Sequence, residues 1–103
     1  MTKIKNITED QLDLMVFIQK DGRTSQRAIA QNTGLSIGKV NYCLRALIEI
    51  GFIKIHNFKS SSNKMSYMYI LTPKGIQEKK EITKKFIIKK KQEWDKLNSY
   101  INT

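Results

Sequence analysis

The sequence predicts a mainly α-helical fold with one small β-hairpin. Three observations carry this. The first half holds three short helical segments with capping signals. Two β-rich runs then flank a polar loop, and the last segment keeps helical periodicity over a long stretch. At 103 residues the default is a single domain, with a core small enough to benefit from burial against a partner.

The first helix is expected at about 8–20. Thr8-Glu9-Asp10-Gln11 has the pattern of a capping box, Leu12, Met15 and Val16 follow at helical spacing, and Asp21-Gly22 closes the segment. Thr24 or Ser25 can cap a second helix through about Asn32, with Ala28, Ile29 and Ala30 as its inner face; Asn32-Thr33-Gly34 stops it. Ser36 caps a third helix that ends at Gly51. Two helices joined by a glycine-containing turn make a helix-turn-helix. The β-rich runs 52–58 and 65–71 form the hairpin around loop 59–64, and helix-turn-helix followed by hairpin is the order of a winged helix. Thr72 and Pro73, a cap followed by proline at the first helical position, open the long last helix. The expected division is a winged helix-turn-helix unit at 1–75 and a C-terminal helix at 76–103.

Charge narrows the partner. Nineteen Lys and Arg against nine Asp and Glu give +10 with the one histidine neutral. This favours an anionic ligand such as nucleic acid or an acidic membrane surface. The excess lies beyond residue 35: residues 36–72 carry five cations and one anion, and 73–103 carry nine lysines and four anions. The lone Cys43 excludes an internal disulfide and suits a reducing, cytoplasmic setting. The N-terminal residues lack an apolar run of signal-peptide length, and no stretch has the length and apolarity of a membrane span.

On a helical projection of the third helix, Ile37, Leu44, Leu47 and Ile48 lie within about 80° of Val40, with Cys43 at the edge of this core face. Gly38, Tyr42, Arg45 and Glu49 lie opposite, flanked by Lys39 and Asn41. Arg and Lys bond guanine edges or phosphates, Asn pairs with adenine, and Tyr offers a ring and a hydroxyl. Gly38 would let a ligand approach the backbone closely. The blander reading is an ordinary solvated face, and Glu49 fits that. The expected base-reading set is therefore Ser36, Gly38, Lys39, Asn41, Tyr42 and Arg45. Thr24, Ser25, Gln26 and Arg27 at the start of helix two are candidate phosphate contacts, with plain capping as the competing role for Thr24 and Ser25. Lys59, Ser61, Asn63 and Lys64 would form a basic wing against the backbone or minor groove, the alternative being a mobile hairpin tip.

Along the last helix Ile76, Ile82, Phe86, Ile87, Trp94, Leu97, Tyr100 and Ile101 span an arc of about 140°, wider than this small domain can cover. Pairing with a second copy is the expectation, with Ile82, Phe86, Ile87, Trp94, Leu97 and Ile101 as the dimerisation residues. Lys79, Thr83 and Lys90 interrupt the stripe, so a continuous seam is not expected and the lysines can snorkel. A basic helix lying on a membrane is the competing reading; Ile88 and the scattered charges disturb the faces it needs.

Catalytic and metal signatures are missing. Glu9, Asp10 and Asp13 crowd a helix start, where they complement its dipole. His56 has no second His or Cys at ligand spacing. No glycine-rich phosphate loop or nucleophile motif occurs. Cys43 lies beside the core, and Tyr67 and Tyr69 share a strand face, where hairpin packing competes with stacking on single strands. Neither an enzyme, a cofactor nor a metal is expected.

The segments SQRAIAQNTGLS, SIGKVNYCLRALIEIGFIK and NFKSSSNKMSYMYILTPKGI resemble MarR-type winged-helix transcriptional regulators, and GKVNYCL and YILTPKGI are similar to the short EPS-associated (exopolysaccharide-associated) subgroup. The resemblance covers roughly residues 8–80. It implies a bacterial, usually dimeric DNA-binding regulator, with 36–45 as the DNA-reading segment and 59–64 as the wing. Longer MarR proteins use further terminal helices for the dimer and for a phenolic-ligand pocket. This length argues against a small-molecule effector and requires a dimer made differently. The expected function is duplex DNA binding in transcription regulation, with repression preferred to activation. The alternatives are a winged-helix protein-interaction module and an RNA or single-strand binder.

Overall fold

The computed structural model describes residues 7–59 and 65–103. Helices α1 (Glu9–Lys20), α2 (Gln26–Thr33) and α3 (Ile37–Glu49) precede strands β1 (Ile53–Lys59) and β2 (Met65–Leu71), and α4 (Pro73–Ile101) closes the chain. This is the expected winged helix-turn-helix with a long last helix.

Each boundary has a local cause. Thr8 and Gln11 form the capping box of α1: the Gln11 amide donates to Thr8 Oγ1 (3.2 Å) and the Thr8 amide to Gln11 Oε1 (2.9 Å). Ser25, rather than Thr24, caps α2 by accepting from the Ala28 amide at 3.1 Å. Gly34 ends α2 at φ 79°, where a side chain would be strained, and only Leu35 separates it from the Ser36 cap of α3. Gly51, at φ 84°, ends α3, and the Phe52 amide closes back onto the Leu47 carbonyl at 2.9 Å.

The core is one cluster. Leu14, Met15 and Ile18 of α1, Ile29 and Ala30 of α2, and Val40, Cys43, Leu44 and Leu47 of α3 meet Phe52, Ile53, Tyr69 and Leu71 at the hairpin root. Cys43 is fully in this core rather than at its edge. Ile37 departs from the expected core face and is 49% exposed. It is the first residue of α3, so its side chain leans off the helix end with no preceding turn to pack on. Ile48 is half-buried against the cluster.

The strands pair antiparallel from Ile53↔Leu71 to Lys59↔Met65. Beyond β2, the Tyr69 amide donates to the Gly22 carbonyl at 2.8 Å, tying the α1–α2 connection to the sheet. A Cβ on Gly22 would collide with the Tyr69 carbonyl.

Helix α4 spans about 44 Å at 1.5 Å per residue. Its first turn sits against the end of α3. Thr72 Oγ1 accepts from the Gly75 amide (3.0 Å) and donates to the Gly51 carbonyl (2.6 Å), and Lys74 Nζ donates to the Ile50 carbonyl at 3.2 Å. Gly75 is buried, and a Cβ there would strike the Phe52 carbonyl. Farther on, Ile82 packs on the core and Phe86 is half-buried. From residue 87 onward every residue of α4 is exposed.

Gly75→Ala should lower unfolding stability by about 1–3 kcal/mol, the usual cost of forcing atoms into a packed site, as read from urea denaturation. An unchanged midpoint would show that α4 does not sit on Phe52.

Candidate nucleic-acid interface

The core fixes which side of α3 faces outward. With Val40, Cys43, Leu44 and Leu47 turned inward, Gly38, Lys39, Tyr42 and Arg45 are exposed, Tyr42 at 69%. The expected base-reading side chains therefore share the outer surface of one helix. Gly38 has open space where a Cβ would stand. No internal packing calls for glycine there, although glycine weakens a helix interior.

The start of α2 lies beside this face. Asn41 Nδ2 donates to Gln26 Oε1 at 3.3 Å, and both residues are half-buried. Arg27 and Ser25 are exposed and Thr24 is half-buried. Ser25 and Ser36 have their hydroxyls committed to capping, accepting from the Ala28 and Lys39 amides. Lys59 is described only as the last residue of β1; Ser61, Asn63 and Lys64 lie outside the described residues.

An acidic turn adjoins the face. Asp10 of α1 pairs with Lys39 at 3.7 Å, and Glu9 pairs with Lys90 of α4 at 2.9 Å. The bond from Glu9 raises the Lys90 ammonium above its usual range. Desolvation, helped by Glu9 and Asp10, raises the Asp13 carboxyl. The first turn of α1 thus touches both α3 and α4, a link that sequence spacing gave no sign of. It also accounts for Lys90, which interrupts the apolar stripe yet has a carboxylate partner. Thr83, another interruption, donates its hydroxyl back to the Lys79 carbonyl at 2.7 Å.

Reactive groups do not gather. Burial raises the Cys43 thiol, against the pull of Lys39, which disfavours a reactive thiolate. His56 is exposed on β1. Among the described residues, no three His, Cys, Asp or Glu are placed to hold a metal ion, and no helix is long and apolar enough to cross a membrane. On α4, Trp94 is 64% and Ile101 78% exposed, and Ile87, Leu97 and Tyr100 are also solvent-facing. Of the expected dimerisation residues, Ile82 instead turns toward its own core.

Comparison with known proteins agrees with this geometry. Residues 11–54 match the family described as winged helix-turn-helix DNA-binding. That match covers 44 of the 103 residues, less than half of the chain. Solved structures share the fold. One is a variant of MepR from a multidrug-resistant Staphylococcus aureus clinical isolate: TM-score 0.64, 22% identity, 87% of this chain and 64% of that one covered. Another is a MarR/EmrR family transcriptional regulator from Acinetobacter sp. ADP1: TM-score 0.62, 23% identity, 85% and 60% covered. A third is a transcriptional regulator homologue from Pyrococcus horikoshii OT3: TM-score 0.60, 20% identity, 77% and 79% covered. The chain thus spans less than two thirds of the first two. No curated protein matches.

Two outcomes follow from this surface. Gly38→Ala should stabilise the fold by about 0.5–1 kcal/mol and weaken duplex binding, read by thermal melts and fluorescence anisotropy; unchanged binding would remove Gly38 from the interface. Asp10→Asn should tighten binding to all duplexes about 2- to 5-fold at low salt, because phosphate no longer competes with a carboxylate for Lys39. No change at low salt would show that Lys39 does not meet DNA.

Proposed function

We propose that the protein is a MarR-type transcription regulator that binds duplex DNA as a homodimer in the cytoplasm, within the short EPS-associated subgroup. The single observation that supports this best is the outward set Gly38, Lys39, Tyr42 and Arg45 on α3 of a winged helix-turn-helix in a chain of charge +10. The start of α3 enters the major groove, with base contacts from Lys39, Asn41, Tyr42 and Arg45. Arg27 at the start of α2, with Thr24 and Ser25 alongside, positions the protein on phosphates, as does a wing spanning Lys59 to Lys64 with Ser61 and Asn63. Residues 1–75 serve as the reading unit and 76–103 as the dimer element. Repression follows from occupancy: a dimer on a promoter excludes other proteins.

The apolar exposure on the far half of α4 supports the dimer. Ile87, Trp94, Leu97 and Ile101 find no cover in their own chain, and an unpaired apolar stripe of this kind is costly in water. Phe86 joins them at the inner edge, while Ile82 contributes through the core beneath. A two-fold pair would present its reading helices to half-sites about 34–36 Å apart.

Binding should weaken by about 10³–10⁵ between 50 and 200 mM salt for a dimer touching about 6–10 phosphates, as measured by anisotropy; a flat salt response would reject the electrostatic footprint. Arg45→Ala should cost about 1–3 kcal/mol and relax sequence preference, whereas Lys59→Ala should weaken all sequences alike. Equal, sequence-blind losses for both variants would overturn the division of roles, and preference for unpaired strands over duplex would favour the single-strand reading. Sedimentation should give twice the 12.0 kDa chain mass, and Trp94→Glu with Leu97→Glu should return it to the monomer; a wild-type monomer at tens of micromolar would reject the dimer.

A further inference from the structure

We propose that Gln26 and Asn41 act as one composite amide that reads a single adenine in the major groove. The inference rests on the duplex-reading function above and assigns one base preference to two named residues. Gln26 is the first residue of α2 and Asn41 lies in the second turn of α3, so the bond between them crosses the helix-turn-helix. Asn41 Nδ2 donates to Gln26 Oε1 at 3.3 Å, and each side chain keeps part of its surface exposed.

That bond uses one polar atom of each amide and leaves a complementary pair. Asn41 Oδ1 retains its acceptor capacity, and Gln26 Nε2 retains two N–H donors. Adenine alone offers both complements on one base edge: N6–H donates to Asn41 Oδ1, and N7 accepts from Gln26 Nε2. Guanine presents two acceptors, N7 and O6, and would set O6 against Oδ1. Cytosine presents the N4 donor and thymine the O4 acceptor, so each leaves one amide atom without a partner, which is costly in a site closed to water. A single Asn or Gln can make the same fork by itself. Sharing it between two half-buried side chains fixes both rotamers before DNA arrives, so less side-chain entropy is lost on binding. The arrangement also makes Gln26 a specificity residue rather than a phosphate contact.

Selection from random-sequence duplexes tests this with wild type, Gln26→Ala, Asn41→Ala, the double variant and Gln26→Glu, each checked for an intact thermal transition. Wild type should show a site position at which adenine is preferred. Both alanine variants should lose that preference at the same position, by about 5- to 100-fold in discrimination, and the double variant should lose no more than either single one. Gln26→Glu preserves size and the acceptor for Asn41 but removes the donor to N7, so adenine preference should fall there and cytosine, whose one free N4–H suits a carboxylate acceptor, should gain. If Gln26→Ala weakens all sequences alike while wild type remains selective, Gln26 is a phosphate contact and the composite reading is overturned. Retained adenine preference in Gln26→Glu overturns it as well. If wild type enriches no sequence, the duplex-reading function fails and this inference with it.

Discussion

A single hydroxyl ties three parts of the molecule together. Thr72 Oγ1 caps α4 through the Gly75 amide and donates to the Gly51 carbonyl just beyond α3, while the Thr72 amide reaches the Phe52 carbonyl at 2.9 Å. Lys74 adds its ammonium to the Ile50 carbonyl and lies 5.6 Å over the Phe52 ring. The end of α3, the root of the hairpin and the start of α4 therefore share one small knot of hydrogen bonds. A buried glycine permits the close approach there, since a side chain at residue 75 would meet backbone. The direction in which α4 leaves the domain is set at this point.

The second constraint is burial. A domain of this size has few large side chains to spend on its core, and the core consumes one face of each short helix. What remains on α3 is the polar, cationic and aromatic surface described above. Its composition is thus in part a by-product of packing. The acidic turn of α1 then tempers it: Asp10 shares Lys39, and Glu9 holds Lys90, so both cations begin with a partner. Exposed pairs of this kind contribute little to stability, and their larger effect is on what the lysines do next.

Much of the fold was legible because the local signals agreed with the tertiary outcome. The Thr8–Gln11 box, the Ser36 cap, the Gly34 and Gly51 stops and the Thr72–Pro73 start all lie where the residues indicate. The outward set on α3 was legible for the same reason, since helical period alone separates Tyr42 and Arg45 from Val40 and Leu44. Other features depend on contacts between distant segments. Ile37 has the right phase for the core, but it stands at the helix end, where phase is a poor guide to depth. The Gln26–Asn41 bond joins residues 15 positions apart, and Lys90 reaches Glu9 across most of the chain. Such pairs follow from how the helices cross, which no short stretch encodes. Ile82 depends on the same kind of contact: the apolar stripe of α4 serves two surfaces, with its early part on the core and its later part in water.

The hairpin has a further consequence for how the protein behaves when crowded. One side of β2 is occupied by Gly22, whereas β1 pairs only with β2 among the described strands. Its outer border is thus an open ladder, the kind of rim on which other chains can add themselves. The strand is short, and Lys54 and His56 alternate with the apolar Ile53 and Ile55. A copy approaching that rim would bring Lys54 against its own counterpart, and the repulsion disfavours edge-to-edge addition.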